Sequence, residues 1–132
     1  MDLVEEFYKK IGLYDEQLFK KIKNNTKVID LPYEELVDFV GVYPNDKLVS
    51  YNLLLPKIEN IYDVLIWVHE YAHVIFGESE DIPSVMEALF INEYIDDKEL
   101  KKEIIVNTNK EIRCSTSEDH RNAKIMKLNL IR

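Results

Sequence analysis

The stretch from Asn60 to Phe76 reads NIYDVLIWVHEYAHVIF. Its apolar residues (Ile61, Val64, Leu65, Ile66, Trp67, Val68, Ala72, Val74 and Ile75) fall on nearly every side of a helix. A helix of that kind belongs in the centre of a domain, since any surface position would leave an apolar face in water. Gly77 marks its end. Two histidines, His69 and His73, and the carboxylate of Glu70 interrupt the apolar run.

The rest of the chain reads outward from this helix. After Glu78 to Ile82, Pro83-Ser84 opens a second apolar helix that includes Met86, Leu89, Phe90 and Ile91. Asp97 to about Ile112 predicts an amphipathic helix, and Ser117 reads as the N-cap of a last short one. Upstream, Lys47 to Leu55 is the best strand candidate, because Val49, Tyr51, Leu53 and Leu55 alternate with Ser50 and Asn52 while Leu54 breaks the pattern. Pro44-Asn45-Asp46 is a turn signal. Pro32 starts a short helix that stops at Gly41, and two further helices cover roughly Leu3 to Ile11 and Asp15 to Asn24. The expected fold is α+β, mainly α: one domain over residues 1–132, with a short sheet packed on the histidine helix and a glutamate-bearing helix after it.

Composition narrows the function classes. A chain of 132 residues fits one compact domain, and its hydrophobic content of 46% argues against wholesale disorder. The net charge of −8 argues against a nucleic-acid surface, which needs a cationic face. A single cysteine, Cys114, forms no intrachain disulfide, so nothing points to an oxidising compartment. Met1 to Lys10 carries Asp2, Glu5 and Glu6 and does not read as a signal peptide. The apolar run from Val64 to Val68 is too short to span a bilayer. A cytoplasmic location is expected.

His69 and His73 are four residues apart, so on a helix they stand on one face, one turn apart. That spacing lets two imidazoles reach one tetrahedral zinc ion. Glu70 then sits where it can hold a water beside the metal and accept its proton, the logic of an HExxH sequence. The bland explanation is coincidence. Against it, burying two histidines and a carboxylate in so apolar a helix without partners would cost several kcal/mol.

A catalytic zinc needs a third protein ligand. A third histidine six residues after the second would make the metzincin pattern, but that position is Ser79. A glutamate from the following helix is the other solution. In a helix hairpin Glu87 comes level with His73, which makes it the expected ligand. The competing explanation is that Ser84-Val85-Met86-Glu87 forms a capping box. Glu93 is the next candidate, and Asp81, in the connection, a third. His120 lies in the polar run Ser117-Glu118-Asp119-His120-Arg121 and reads as a solvated residue. Tyr51, Tyr71 and Tyr94 are candidates to polarise a carbonyl, although most of the eight tyrosines must be structural. Cys114 has no histidine partner in sequence to make it a nucleophile.

With a strand ahead of His69–His73 and Glu87 on a second helix, the chain resembles the gluzincin branch of the zincin peptidases, and within it the ImmA/IrrE family of small cytosolic peptidases. The supporting segments are Leu31-Pro32-Tyr33-Glu34-Glu35-Leu36-Val37 and the tail from Ser115 to Ile131. Met86-Glu87-Ala88-Leu89-Phe90-Ile91-Asn92 keeps the family's glutamate-rich segment poorly. The resemblance implies zinc-dependent hydrolysis of a peptide bond, with Glu70 as general base. It implies a protein substrate such as a helix-turn-helix repressor, without direct contact to nucleic acid or membrane. It also implies that Val49 to Leu53 lines the cleft and pairs with an extended substrate, the use an exposed strand edge allows. Two rival readings are a metal-binding but inactive module that docks a partner, and a helical interaction protein without metal.

Overall fold

The computed structural model describes residues 2–30, 41–43, 52–77 and 79–132. Among them it is mainly helical with a small sheet. The elements are α1 (Leu3–Lys10), α2 (Glu16–Asn24), β1 (Thr26–Ile29), β2 (Gly41–Tyr43), β3 (Asn52–Pro56), α3 (Ile61–Phe76), α4 (Asp81–Tyr94), α5 (Lys98–Cys114) and α6 (Glu118–Leu130). The expected helix from Pro32 to Gly41, the turn at Pro44-Asn45-Asp46 and residues 47–51 of the expected strand lie outside the described residues, apart from Gly41. Gly41 opens β2.

Helix α3 is the hub, as its all-round apolarity requires: the sheet, α1 and α4 all pack on it. Its start is fixed by a reciprocal cap. Asn60 Oδ1 accepts from the Asp63 amide at 3.1 Å, and Asp63 Oδ2 accepts from the Glu59 and Asn60 amides at 2.9 and 3.3 Å. Trp67 donates its indole N–H to the Pro56 carbonyl at 2.8 Å, tying the helix to the end of β3. The Tyr8 hydroxyl of α1 donates to the Val68 carbonyl at 2.9 Å, one residue before His69. Tyr71 is buried beside Tyr8, Phe19 and Trp67, and Tyr94 packs on Phe7 and Phe90. Tyr71 is thus a core residue, and Tyr94 is a half-buried one packed against the core.

The sheet order is β1-β3-β2, with β1 parallel to β3 and β2 antiparallel to it. Leu53 and Leu55 are buried and Leu54 is only partly so, as the period of two demands. Strand β3 is central: Leu53 pairs with both Thr26 and Val42, and Leu54 with both Lys27 and Gly41. This corrects the substrate-pairing role expected at Leu53, because its main chain already serves neighbours on both sides. The neighbours were unforeseen, since neither Thr26–Ile29 nor Gly41–Tyr43 is long enough to show a clear alternation.

Helix α4 begins earlier than expected, at Asp81, with Glu80 in the N-cap position. Pro83 falls in its first turn, where a missing N–H costs nothing. Ser84 is therefore inside the helix, and the capping-box explanation for Glu87 fails. Helix α6 has Ser117 as its N-cap, accepting from the His120 amide at 3.3 Å, but it runs for 13 residues and is not short. It packs on α4 and α5, which carries its inner face toward α3. Among the described residues no helix is long and apolar enough to cross a membrane.

Candidate metal centre

Helix α3 places His69 and His73 one turn apart, with ring Nε2 atoms 3.2 Å from each other. The two remaining nitrogens settle the tautomers. His73 Nδ1 lies 3.0 Å from the Gly77 carbonyl, which can only accept, so Nδ1 carries the hydrogen. Gly77 has φ +96°, a conformation that suits glycine, and its backbone turns the helix end so that its N–H meets the His73 carbonyl at 2.9 Å. His69 Nδ1 lies 2.9 Å from Glu87 Oε2 and donates to that carboxylate. With both Nδ1 atoms so engaged, the two Nε2 atoms turn into one space, where a bound cation would take the place of the proton they share.

Glu80 faces the same space. Its Oε2 is 3.5 Å from His69 Nε2, and its Oε1 is 3.5 Å from His73 Nε2. Zinc–donor bonds of about 2.0–2.1 Å in a tetrahedron put the donors roughly 3.3 Å apart, close to these separations. The donor set therefore fits zinc. Donor atoms of His69, Glu70 and His73 also lie within 4.8 Å of one another.

The charges point the same way. Glu70, Glu80 and Glu87 set three carboxylates around the histidine pair, and the ammonium of Lys127 lies 3.2 Å from Glu87 Oε1. These carboxylates favour positive charge between the two rings, from a bound cation or from protons on the imidazoles. The same carboxylates draw protons onto the imidazoles. Burial lowers the pKa of His69, but the hydrogen bonds and charges of Glu80, Glu87 and Glu70 outweigh it and lift it to about 10. His73 is raised chiefly by Glu80. Glu80 is held well below the usual carboxylate range by its bonds to the two histidines. Glu87 is lowered too: burial pushes it up, but Lys127 and His69 prevail. Glu70 moves the other way, raised by burial in spite of the histidines.

His69, Glu70 and His73 thus come together as the sequence requires. Glu87, expected as the third ligand, reaches His69 at the nitrogen turned away from His73. Glu93 pairs with Lys10 elsewhere, and Asp81 is exposed at the start of α4. Sequence reasoning missed Glu80, whose connection offers no period to read, and Lys127, which looks like any surface lysine. His120, read as solvated, is indeed exposed, yet it stands beside Glu80. His120 Nε2 lies 3.5 Å from Glu80 Oε1, with the side chain 52% exposed. Its place at the N-terminus of an inward-packed helix is a signal that could have found it.

The site opens into a cavity of about 490 Å³ between α3, α4, α5 and α6. Glu70, His69, Glu80 and His120 line one part, and Tyr62, Asn107 and Thr108 another. The Tyr62 hydroxyl donates to Glu103 at 2.9 Å and accepts from Asn107 at 3.0 Å. Comparison of the chain with protein-family models, curated proteins and solved structures finds no match.

Proposed function

We propose that the protein is a zincin-like, zinc-dependent peptidase that cleaves a peptide bond in a cytoplasmic protein substrate. The observation that supports this best is the pair of Nε2 atoms, 3.2 Å apart, whose rings are held from behind by Gly77 and Glu87. Ring nitrogens oriented in this way by a carbonyl and a carboxylate are the usual surroundings of metal-bound histidine. In this reading His69, His73 and Glu80 hold the ion, and Glu80 replaces Glu87 as the expected third ligand. When bound, zinc supplies Lewis acidity that polarises a carbonyl and brings water chemistry within reach of neutral pH.

The chain's own residues do the rest. Glu70 adjoins the histidines at the cavity wall, and burial raises its proton affinity, which suits a group that must take a proton from water and return it to a leaving amine. The cavity is large enough for a few side chains of an extended segment. The ImmA/IrrE resemblance suggests a repressor-type regulator as substrate.

A second reading has one observation in its favour. His120, beside Glu80, would make a fourth protein ligand and close the site, as in structural zinc centres. The protein would then be a metal-binding module without activity. Glu70→Gln separates the two. As a peptidase, wild type cleaves members of a peptide library analysed by mass spectrometry, and Glu70→Gln retains about one zinc per chain while losing cleavage. Cleavage at more than a few per cent of the wild-type rate by the variant would remove Glu70 as the base. No cleavage by zinc-loaded wild type would favour the closed module.

A further inference from the structure

Lys127 is the least expected charge in the structure. It lies near the end of α6, yet its side chain is only 7% exposed, against 14% for its partner Glu87. Lysine is rarely buried, because losing the hydration of an ammonium is costly unless an anion replaces it. The anion here is Glu87 Oε1, at 3.2 Å. The other oxygen of the same carboxylate accepts from His69 Nδ1 at 2.9 Å. Lys127, Glu87 and His69 therefore form a chain of three groups that runs from the last helix, through α4, to the histidine on α3.

We propose that Lys127 is a positioning residue for the metal centre: by its bond to Oε1 it holds the Glu87 carboxylate where Oε2 meets the His69 ring. The inference rests on the zinc reading given above. The Glu87 carboxylate repels that of Glu70, and the Lys127 ammonium at 3.2 Å offsets its charge. With Lys127 in place, Glu87 Oε2 stays within hydrogen-bonding reach of His69 Nδ1. Without it, the carboxylate loses the contact that fixes Oε1 and can turn away, and the His69 imidazole loses its fixed partner. Lys124, one turn earlier, pairs with Glu111 at 2.6 Å and has no contact with the histidines to match this.

The test uses the full chain as wild type, Lys127→Met, Glu87→Gln and the double variant. Zinc affinity is read by competition with a chromophoric chelator, and the visible absorption of each cobalt(II)-loaded protein reports the ligand geometry. The expected result is a loss of affinity of about 10- to 100-fold in Lys127→Met, typical of a group behind a metal ligand, together with a shifted cobalt band. In the Glu87→Gln background Lys127→Met should cost nothing more, since the lysine acts only through that carboxylate. If Lys127→Met alone fails to fold, the neutral double variant still decides the matter by comparison with Glu87→Gln. Wild-type affinity and an unmoved cobalt band in Lys127→Met, or a further loss in the double variant, would overturn the inference alone. Failure of wild type to take up zinc would instead overturn the zinc reading, and this inference with it.

Discussion

Glu80 and Glu87 lie two helical turns apart in sequence and meet opposite nitrogens of one imidazole. Their residue type is the same, so their roles differ only through position. Glu80, in the N-cap position of α4, reaches the face shared by both Nε2 atoms. Glu87 reaches the back of His69 and is neutralised there by Lys127. A carboxylate on the shared face contributes a charged donor to the ion itself. A carboxylate behind the ring contributes only orientation and basicity, and glutamine keeps part of that because its oxygen can still accept from Nδ1. Glu80→Gln should therefore weaken zinc binding more than Glu87→Gln, whose loss should stay within about 10- to 100-fold. Chelator competition on the two variants measures the order, and the reverse order would return the ligand role to Glu87.

Among the elements, the end of α3 carries more than a helix stop. Gly77 terminates the helix with φ +96° and gives its carbonyl to His73 Nδ1 at 3.0 Å. A Cβ at this position would meet nothing within 4 Å, so the obstacle to any other residue is the backbone conformation alone. Gly77→Ala should cost about 1–3 kcal/mol in stability, measured by chemical denaturation, as expected for a side chain held in a region of φ that L residues avoid. The variant should also bind zinc more weakly, because relief of the strain turns the carbonyl away from His73. An unchanged zinc affinity would mean that His73 needs no such support. The strands show a different principle. β3 is legible by alternation, whereas β1 and β2 exist because β3 offers them a ladder. A segment of three or four residues gains its strand conformation from its partner and not from its own pattern.

At the scale of the whole molecule, the candidate site depends on helices far apart in the chain. α3 brings His69, Glu70 and His73, α4 brings Glu87 and its entry brings Glu80, and α6 brings Lys127 and His120. An ion bound at their junction would stabilise the packed arrangement and not the unfolded chain. Zinc at about 100 times its dissociation constant adds about 2.7 kcal/mol, or roughly 10 °C in Tm for a domain of this length. A chelator should remove that increment in calorimetry of wild type and much less in Glu80→Gln. A Tm indifferent to chelator in zinc-loaded wild type would argue against a bound ion at this junction.

The sequence by itself determined the central helix, its glycine end, the histidine pair on one face and the glutamate between them. All of these follow from rules that act within a few residues: the 3.6-residue period and the left-handed end. It also determined that Leu53 and Leu55 face inward, since alternation alone decides that. Only the tertiary structure decided that β3 is flanked on both sides, that Glu80 and not Glu87 shares the space of the two Nε2 atoms, and that a lysine forty residues beyond Glu87 stands behind it. Such contacts depend on where α4 begins, a shift of three residues from Ser84 to Asp81 being most of a helical turn, and on how α6 packs across α4. The physical reason is that local patterns fix which way a side chain points on its own element, while the meeting of elements is fixed by packing, and packing leaves no periodic trace in the sequence.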